Sequence, residues 1–314
     1  MLKSIHLDCF TFKFFGKNTT RDTFHGFHGV FLGLGVYTAA QALLNYLEPT
    51  AQPLHTYSYD PPDGSPRFNG QLQDYRMPVR DARGLSPSAT LESQGFTMAQ
   101  APSAVTDFWN ETQVRDTYYA ESAGLLMQLT GARQALVFDH TLRRRAAHRP
   151  QLDGTGGSFS PVREPVGRVH LDFTPRSGPL RIRQVLGLPL DEPLELQRYV
   201  IYGMWRCIND APLEDAPLAL ADCRTVNTSD LVPNKLIYPE RTGETYAITR
   251  NTSHSWFYYP RQTRDEVIVF RHFSGSDVLH NVNTSVPHSA IEEPQACDNP
   301  IPRQSIELRV LAIF

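Results

Sequence analysis

The chain has 314 residues, with 30 Lys and Arg against 33 Asp and Glu, a formal net charge of −3 and 40% hydrophobic residues. That near-neutral balance gives no electrostatic footprint for nucleic acid, and the length suffices for a substantial core. Cys9, Cys207, Cys223 and Cys297 show no CxxC spacing and are too sparse for a disulfide scaffold, which suits buried thiols in a reducing, cytoplasmic setting.

Taken in chain order, the first feature is an apolar run over 29–47 behind Lys13, Lys17 and Arg21. It sits near the lower length limit for a bilayer span and is interrupted by Gln41 and Asn45, so no membrane association is expected. It reads as a short amphipathic helix or an incidental extension. Residues 1–50 are accordingly set apart as an N-terminal extension of unassigned role, and 51–314 as one domain. From about 50 to 105, abundant Pro, Gly, Ser and Asp predict an irregular wrapping segment with short strands. Over 107–131, Val114, Tyr118, Leu125, Leu126 and Leu129 follow a helical period that begins on acidic residues and stops at Gly131. A short strand is predicted over 134–139. It runs into Arg143, Arg144 and Arg145, read as a solvated turn, with an anion-facing role for one of them as the alternative. A Gly/Ser/Pro loop covers 153–167.

Beyond that loop the pattern is β. Segments 168–174, 199–206, 217–223, 235–239, 244–250, 255–260, 266–273 and 305–314 are short, aliphatic or aromatic, and separated by turn residues. A helix is predicted near 177–186. Many short strands behind a helical lead-in predict a mainly β fold with flanking helices, a double-stranded β-helix or jelly roll.

The chemistry concentrates in Val169-His170-Leu171-Asp172. Two-residue spacing in a strand points His170 and Asp172 to the same side of a sheet, which is two-thirds of a 2-His-1-carboxylate iron site. His288, in Pro287-His288-Ser289, is the candidate third ligand. On the terminal strand, positions 303, 305, 307 and 309 share a face, so Arg303, Ser305 and Arg309 can point into one cavity. A guanidinium there suits a dicarboxylate co-substrate, which it grips bidentately. His254 and His272 compete as metal candidates. His254, among aromatics, reads as a pocket residue or a hydrogen-bond donor behind the ligands, and His272 as structural. Trp205, Trp256 and Tyr258 read as aromatic walls for a small-molecule substrate, against the alternative that they are core aromatics. No Gly-X-Ser-X-Gly elbow, dinucleotide-binding fingerprint or P-loop is present.

Several ordered fragments carry a resemblance: 137–145 (VFDHTLRRR), 168–174 (RVHLDFT), Trp205-Arg206 with 214–220 (EDAPLAL), 243–246 (GETY), 254–259 (HSWFYY), Asp265-Glu266, Pro287-His288 and 302–309 (PRQSIELR). Together, over roughly 55–314, they resemble the hydroxylase/desaturase family of AsaB, the fungal gibberellin desaturase and CmcJ. The resemblance implies an oxidoreductase of specialised-metabolite biosynthesis that uses Fe(II) and 2-oxoglutarate. It implies His170, Asp172 and His288 as iron ligands, and Arg303 as the 2-oxoglutarate anchor with Arg309 as its rival. It also leaves a second role open, a non-catalytic binding protein that assists a partner enzyme. Where the family often has Pro-His-Thr-Ala-Phe, this chain has Pro287-His288-Ser289-Ala290-Ile291, a change in the pocket wall that spares the histidine. The substrate, the choice between hydroxylation and desaturation, and the oligomeric state are not legible in the sequence.

Overall fold

The computed structural model describes residues 39–147, 152, 162–294 and 298–314. Cys9, Cys297, the basic residues ahead of the apolar run and most of the loop expected over 153–167 lie outside the described residues. One compact unit runs Tyr37–Phe314.

Its strands are β1 Ala40–Leu47, β2 Leu54–Tyr57, β3 Leu72–Asp81, β4 Phe96–Gln100, β5 Gln134–Arg144, β6 His170–Leu171, β7 Tyr199–Cys207, β8 Leu218–Ala221, β9 Leu231–Ile237, β10 Thr242–Ile248, β11 Trp256–Tyr258, β12 Glu266–Ser274, β13 His288–Ala290 and β14 Gln304–Ile313. Nine of them form one sheet, in the order β1-β3-β11-β8-β13-β6-β10-β9-β2, and five form a second, β4-β12-β7-β14-β5. The two sheets make a jelly roll. No helix among the described residues is long and apolar enough to cross a membrane.

The helix expected before β5 is present as Glu111–Gln113, a π-helical stretch Val114–Tyr118 and α-helix Tyr119–Thr130. The Asn110 side chain accepts from the Thr112 and Gln113 N–H groups at its start, and Gly131, at φ 71°, ends it in the left-handed conformation that glycine adopts without strain. The helix expected after Asp172 spans Ser177–Leu186.

The terminal strand shows how the layers are built. Ile306, Leu308, Val310 and Ala312 pack outward against Val114, Tyr118 and Leu126 of the long helix. The alternate positions face the other sheet, where Trp205, Ile268 and Phe270 meet Leu218, Leu220 and Phe257 in a second buried cluster. With a period of two, one strand thus presents aliphatic side chains to the helix on one side and Arg303, Ser305, Glu307 and Arg309 to the other.

Two expectations change. Ala40–Leu47, within the run read as an amphipathic helix or extension, is an edge strand antiparallel to β3. Ala42, Leu44 and Tyr46 are buried between the more accessible Gln41, Leu43 and Asn45, an alternation that the apolar Leu43 disguises in the sequence. Arg143 and Arg144 continue β5 rather than turning, because β14 pairs with the strand along its whole length, from Gln304↔Arg144 to Ile313↔Gln134.

Candidate metal centre

His170 and His288 are direct partners across antiparallel β6 and β13, so their side chains leave the nine-stranded sheet on one face. Their ring centroids lie 4.3 Å apart. Asp172, two residues beyond His170, joins them: its Oδ1 is 3.5 Å from His170 Nε2 and 3.9 Å from His288 Nε2. Each imidazole has its Nδ1 beside a backbone carbonyl, His170 at 2.9 Å from Arg168 O and His288 at 3.1 Å from Val286 O. An Nδ1–H donated there puts the lone pair on Nε2, the atom that faces the carboxylate, as in metal-binding histidines generally. Neighbouring donors of an octahedral ion with bonds of about 2.1 Å stand about 3 Å apart, so each imidazole lies within about 1 Å of ligand spacing from the Asp172 oxygen. Burial, and next the His170 charge, push the His288 pKa down to about 3, which keeps its ring neutral.

The five-stranded sheet adds a second group of donors. His272 of β12 and Glu307 of β14 come within ligand spacing of Asp172 and His288. Their tautomer logic differs. His272 Nε2 is engaged by Glu307 Oε1 at 3.1 Å, and its buried Nδ1 has no hydrogen-bond partner among the described residues. Gly203 of β7 makes room for this ring, since a Cβ there would stand 2.5 Å from His272 Nε2. Burial alone would raise the Glu307 pKa, but the His272 hydrogen bond and the Arg309 charge outweigh it and hold the carboxyl near 2. Asp172 behaves alike: against burial, Arg309 and then His272 hold it well below the usual carboxylate range. The sequence reading set His272 aside and passed over Glu307. The signal for Glu307 was its place between Ser305 and Arg309 on the inward face; His272, beside a β-bulge that shifts the β12–β7 register, had none.

The two arginines of β14 have different surroundings. Arg309 directs Nε and Nη2 at Asp172 Oδ2, each at 2.7 Å, and Nη1 at Asp139 at 3.3 Å. Arg303 is buried, with Nε donating to Ser305 Oγ at 3.1 Å, Nη1 to Ala216 O at 2.6 Å, and its guanidinium carbon 5.0 Å from the Trp205 ring centroid. It has no carboxylate on its guanidinium among the described residues, and burial pushes its pKa down to about 9. Arg143 lies opposite Ser305 on β5, and its Nη1 donates to Glu164 O at 2.7 Å.

In front of His170 and Asp172 opens a cavity of about 900 Å³, which Arg143 and Arg309 also line. Arg303, Ser305 and His288 are buried behind it. The residues expected as substrate walls do not line it. Trp256 is in the core and donates to Tyr46 Oη at 2.8 Å, and Tyr258 donates to Glu293 at 3.1 Å. His254 sits between Tyr46 Oη, 3.0 Å from its Nδ1, and Asp230, 3.1 Å from its Nε2. Strand β11 lies three positions away from β6 in the sheet, which removes all three from the centre. All three are buried and pack within the fold rather than against this cavity. Trp205, fully buried, packs against Arg303 instead of facing the cavity.

Comparison with known proteins gives the family of the chain. A family model described as an oxidoreductase/YMDC permease-like domain matches residues 44–313. The alpha-ketoglutarate-dependent dioxygenase phiK of Fungal sp. (strain ATCC 74256) is 31% identical over 71% of this chain and 79% of its own. The hydroxylase/desaturase efuI of Hormonema carpetanum is 28% identical over 80% of this chain and 87% of its own. A solved structure of the iron and alpha-ketoglutarate-dependent endoperoxidase NvfI shares the fold, with a TM-score of 0.72 at 22% identity over 88% of this chain and 98% of that one. With a family match running from β1 to β14 and relatives aligned along most of their length, the chain belongs to the oxidoreductase/YMDC permease-like domain family, among the fungal Fe(II)- and 2-oxoglutarate-dependent oxygenases.

Proposed function

We propose that the protein is an Fe(II)- and 2-oxoglutarate-dependent hydroxylase or desaturase that oxidises a small-molecule intermediate of specialised-metabolite biosynthesis in the cytoplasm, without nucleic-acid or membrane partners. The observation that carries the reading is the orientation of His170, Asp172 and His288, with two Nε2 atoms and Oδ1 facing one another while Nδ1 and Oδ2 are held from behind. Imidazole and carboxylate in that ratio suit Fe(II) and leave its remaining positions open. Free, buried Cys207 and Cys223 support a reducing compartment.

In this reading His170, Asp172 and His288 hold the iron, and Arg303 with Ser305 receives the distal carboxylate of 2-oxoglutarate. Arg303 fits that task because its guanidinium is desolvated, fixed by Ser305 and the Ala216 carbonyl, and without a carboxylate partner among the described residues, whereas Arg309 is committed to Asp172. Bound Fe(II) with 2-oxoglutarate supplies the dioxygen chemistry that breaks an unactivated C–H bond. The chain's own tasks are to orient the donors, neutralise the diacid, and present the substrate from the cavity in front of His170. Because the named relatives are dioxygenases and a hydroxylase/desaturase, a purely binding role is the weaker reading.

Anaerobic loading with Fe(II) and 2-oxoglutarate followed by oxygen tests it. Succinate release is expected from the wild type and from His272→Ala, and is expected to vanish in Asp172→Ala and His288→Ala. Release that survives His170→Ala but not His272→Ala would move the third donor to His272.

A further inference from the structure

The cavity in front of the metal cluster is walled by more positive charge than its own acids can match. Its three lining carboxylates are each engaged: Asp172 and Asp139 by Arg309, and Glu244 by Thr174 Oγ1 at 2.6 Å and Arg176 at 3.9 Å. Four lining arginines, Arg143, Arg163, Arg181 and Arg241, have no carboxylate partner among the described residues. Two of them are placed by aromatic rings instead. Arg181, on the helix that follows Asp172, lies 5.5 Å from the Phe138 ring centroid, and Arg241, at the turn between β9 and β10, lies 3.9 Å from that of Tyr238. Stacking fixes the plane of a guanidinium and leaves its N–H edge free to bind an anion. Burial, and next the neighbouring Arg241, lower the pKa of Arg181, with Asp139 pulling the other way. A ferrous ion and 2-oxoglutarate carry opposite double charges and do not change the balance.

We infer that the substrate enters this cavity as an organic anion, a carboxylic acid whose head is gripped by Arg181 and Arg241 at the mouth while its body reaches towards His170 and Asp172. The inference rests on the oxygenase reading for what happens to the substrate, but the anion site itself stands on the arginines alone. A volume of about 900 Å³ accommodates a molecule at the upper end of ordinary small-molecule ligands. Apolar lining is present as well, from Phe173, Leu180 and Leu236, so a hydrocarbon body behind the acid has surface to cover.

The test uses enzyme loaded with Mn(II), a redox-inert stand-in, and saturating 2-oxoglutarate, titrated with fluorescent 1-pyrenebutyrate and with its methyl ester. The acid is expected to bind at least roughly tenfold more tightly than the ester, as charge-assisted hydrogen bonds allow. Added salt should weaken only the acid. In R181Q/R241Q the two affinities should converge, and R241Q alone, at an exposed position, should give an intermediate ratio without risk to the fold. Equal affinity of acid and ester for the wild type, binding of neither, or a preference that survives the double substitution overturns the inference. Manganese resonance in the same samples reports loading separately. If the metal does not bind but the unloaded protein still prefers the acid, the oxygenase reading fails and the anion site stands.

Discussion

Arg309 places both Nε and Nη2 2.7 Å from one oxygen of Asp172, Oδ2, and so leaves Oδ1 as the oxygen that faces His170 and His288. A carboxylate held in this way presents a single donor oxygen, and residues that orient ligands from behind typically contribute 10–100-fold to metal affinity. Arg309→Gln is therefore expected to weaken Mn(II) or Fe(II) binding by about 10–100-fold, measured by calorimetry under nitrogen. Arg309→Lys, which keeps the charge but loses the fork, should fall between. Unchanged affinity in Arg309→Gln would mean that Asp172 is oriented by something else.

Arg303 should behave differently. If its guanidinium receives the distal carboxylate of 2-oxoglutarate as proposed, Arg303→Gln is expected to leave metal affinity intact while raising the dissociation constant for 2-oxoglutarate by about 10–100-fold, the worth of a charge-assisted pair. Loading of metal and co-substrate measured separately on the two arginine variants forms a cross: metal lost in one, co-substrate lost in the other. If Arg309→Gln is the variant that loses 2-oxoglutarate and Arg303→Gln keeps it, the two assignments exchange.

How far the sequence reached depended on whether neighbours along the chain were also neighbours in space. His170 and Asp172 were legible because two-residue spacing in a strand is a local rule. Arg303, Ser305, Glu307 and Arg309 shared a face for the same reason, and the helix before β5 was legible from its period and its glycine stop. His254 looked like a site residue because it stood among aromatics, yet those aromatics belong to β11, remote from β6 in the sheet order. His272 looked structural, and only the packing of one sheet on the other brings it to 3.7 Å from Asp172. Strand β1 was hidden because an edge strand with Leu43 on its accessible face has no clean alternation.

Gly203 is the position where backbone clearance controls the centre. A methyl group there would stand 2.5 Å from His272 Nε2 and 2.6 Å from the Phe270 ring, and Arg309 is its partner across β14. Neither ring is at the end of a long flexible chain, so Gly203→Ala is expected to cost about 1–3 kcal/mol by overpacking. Because His272 would be driven towards Glu307 and Asp172, metal affinity should fall together with the melting temperature. A variant with wild-type stability and metal affinity would show that β7 and β12 can separate freely at this point.

The Tyr46–His254–Asp230 chain gives a pH signature independent of the metal. Burial lowers the His254 pKa, and Asp230, though it pulls the other way, does not reverse it. The unfolded chain, with an ordinary histidine pKa of about 6.5, then takes up the proton more readily than the native protein. Stability is complete above that value and declines as pH falls from it towards the depressed native value, by at most about 1.4 kcal/mol per pH unit for one group. Asp230 has the opposite arrangement: burial raises it, but hydrogen bonds from Asn227, His254 and Asn251 leave it below the usual range. Its contribution is therefore intact above about pH 4 and lost only in stronger acid. In a scan of melting temperature between pH 7.5 and 5.5, roughly centred on the histidine range, the decline belongs to buried histidines. His254→Gln, which can still reach Tyr46 but cannot take up a proton, should reduce that slope. It should not abolish it, since neutral, buried His288 works in the same direction in the metal-free protein. An identical slope in His254→Gln and the wild type would show that protonation of His254 is not coupled to folding.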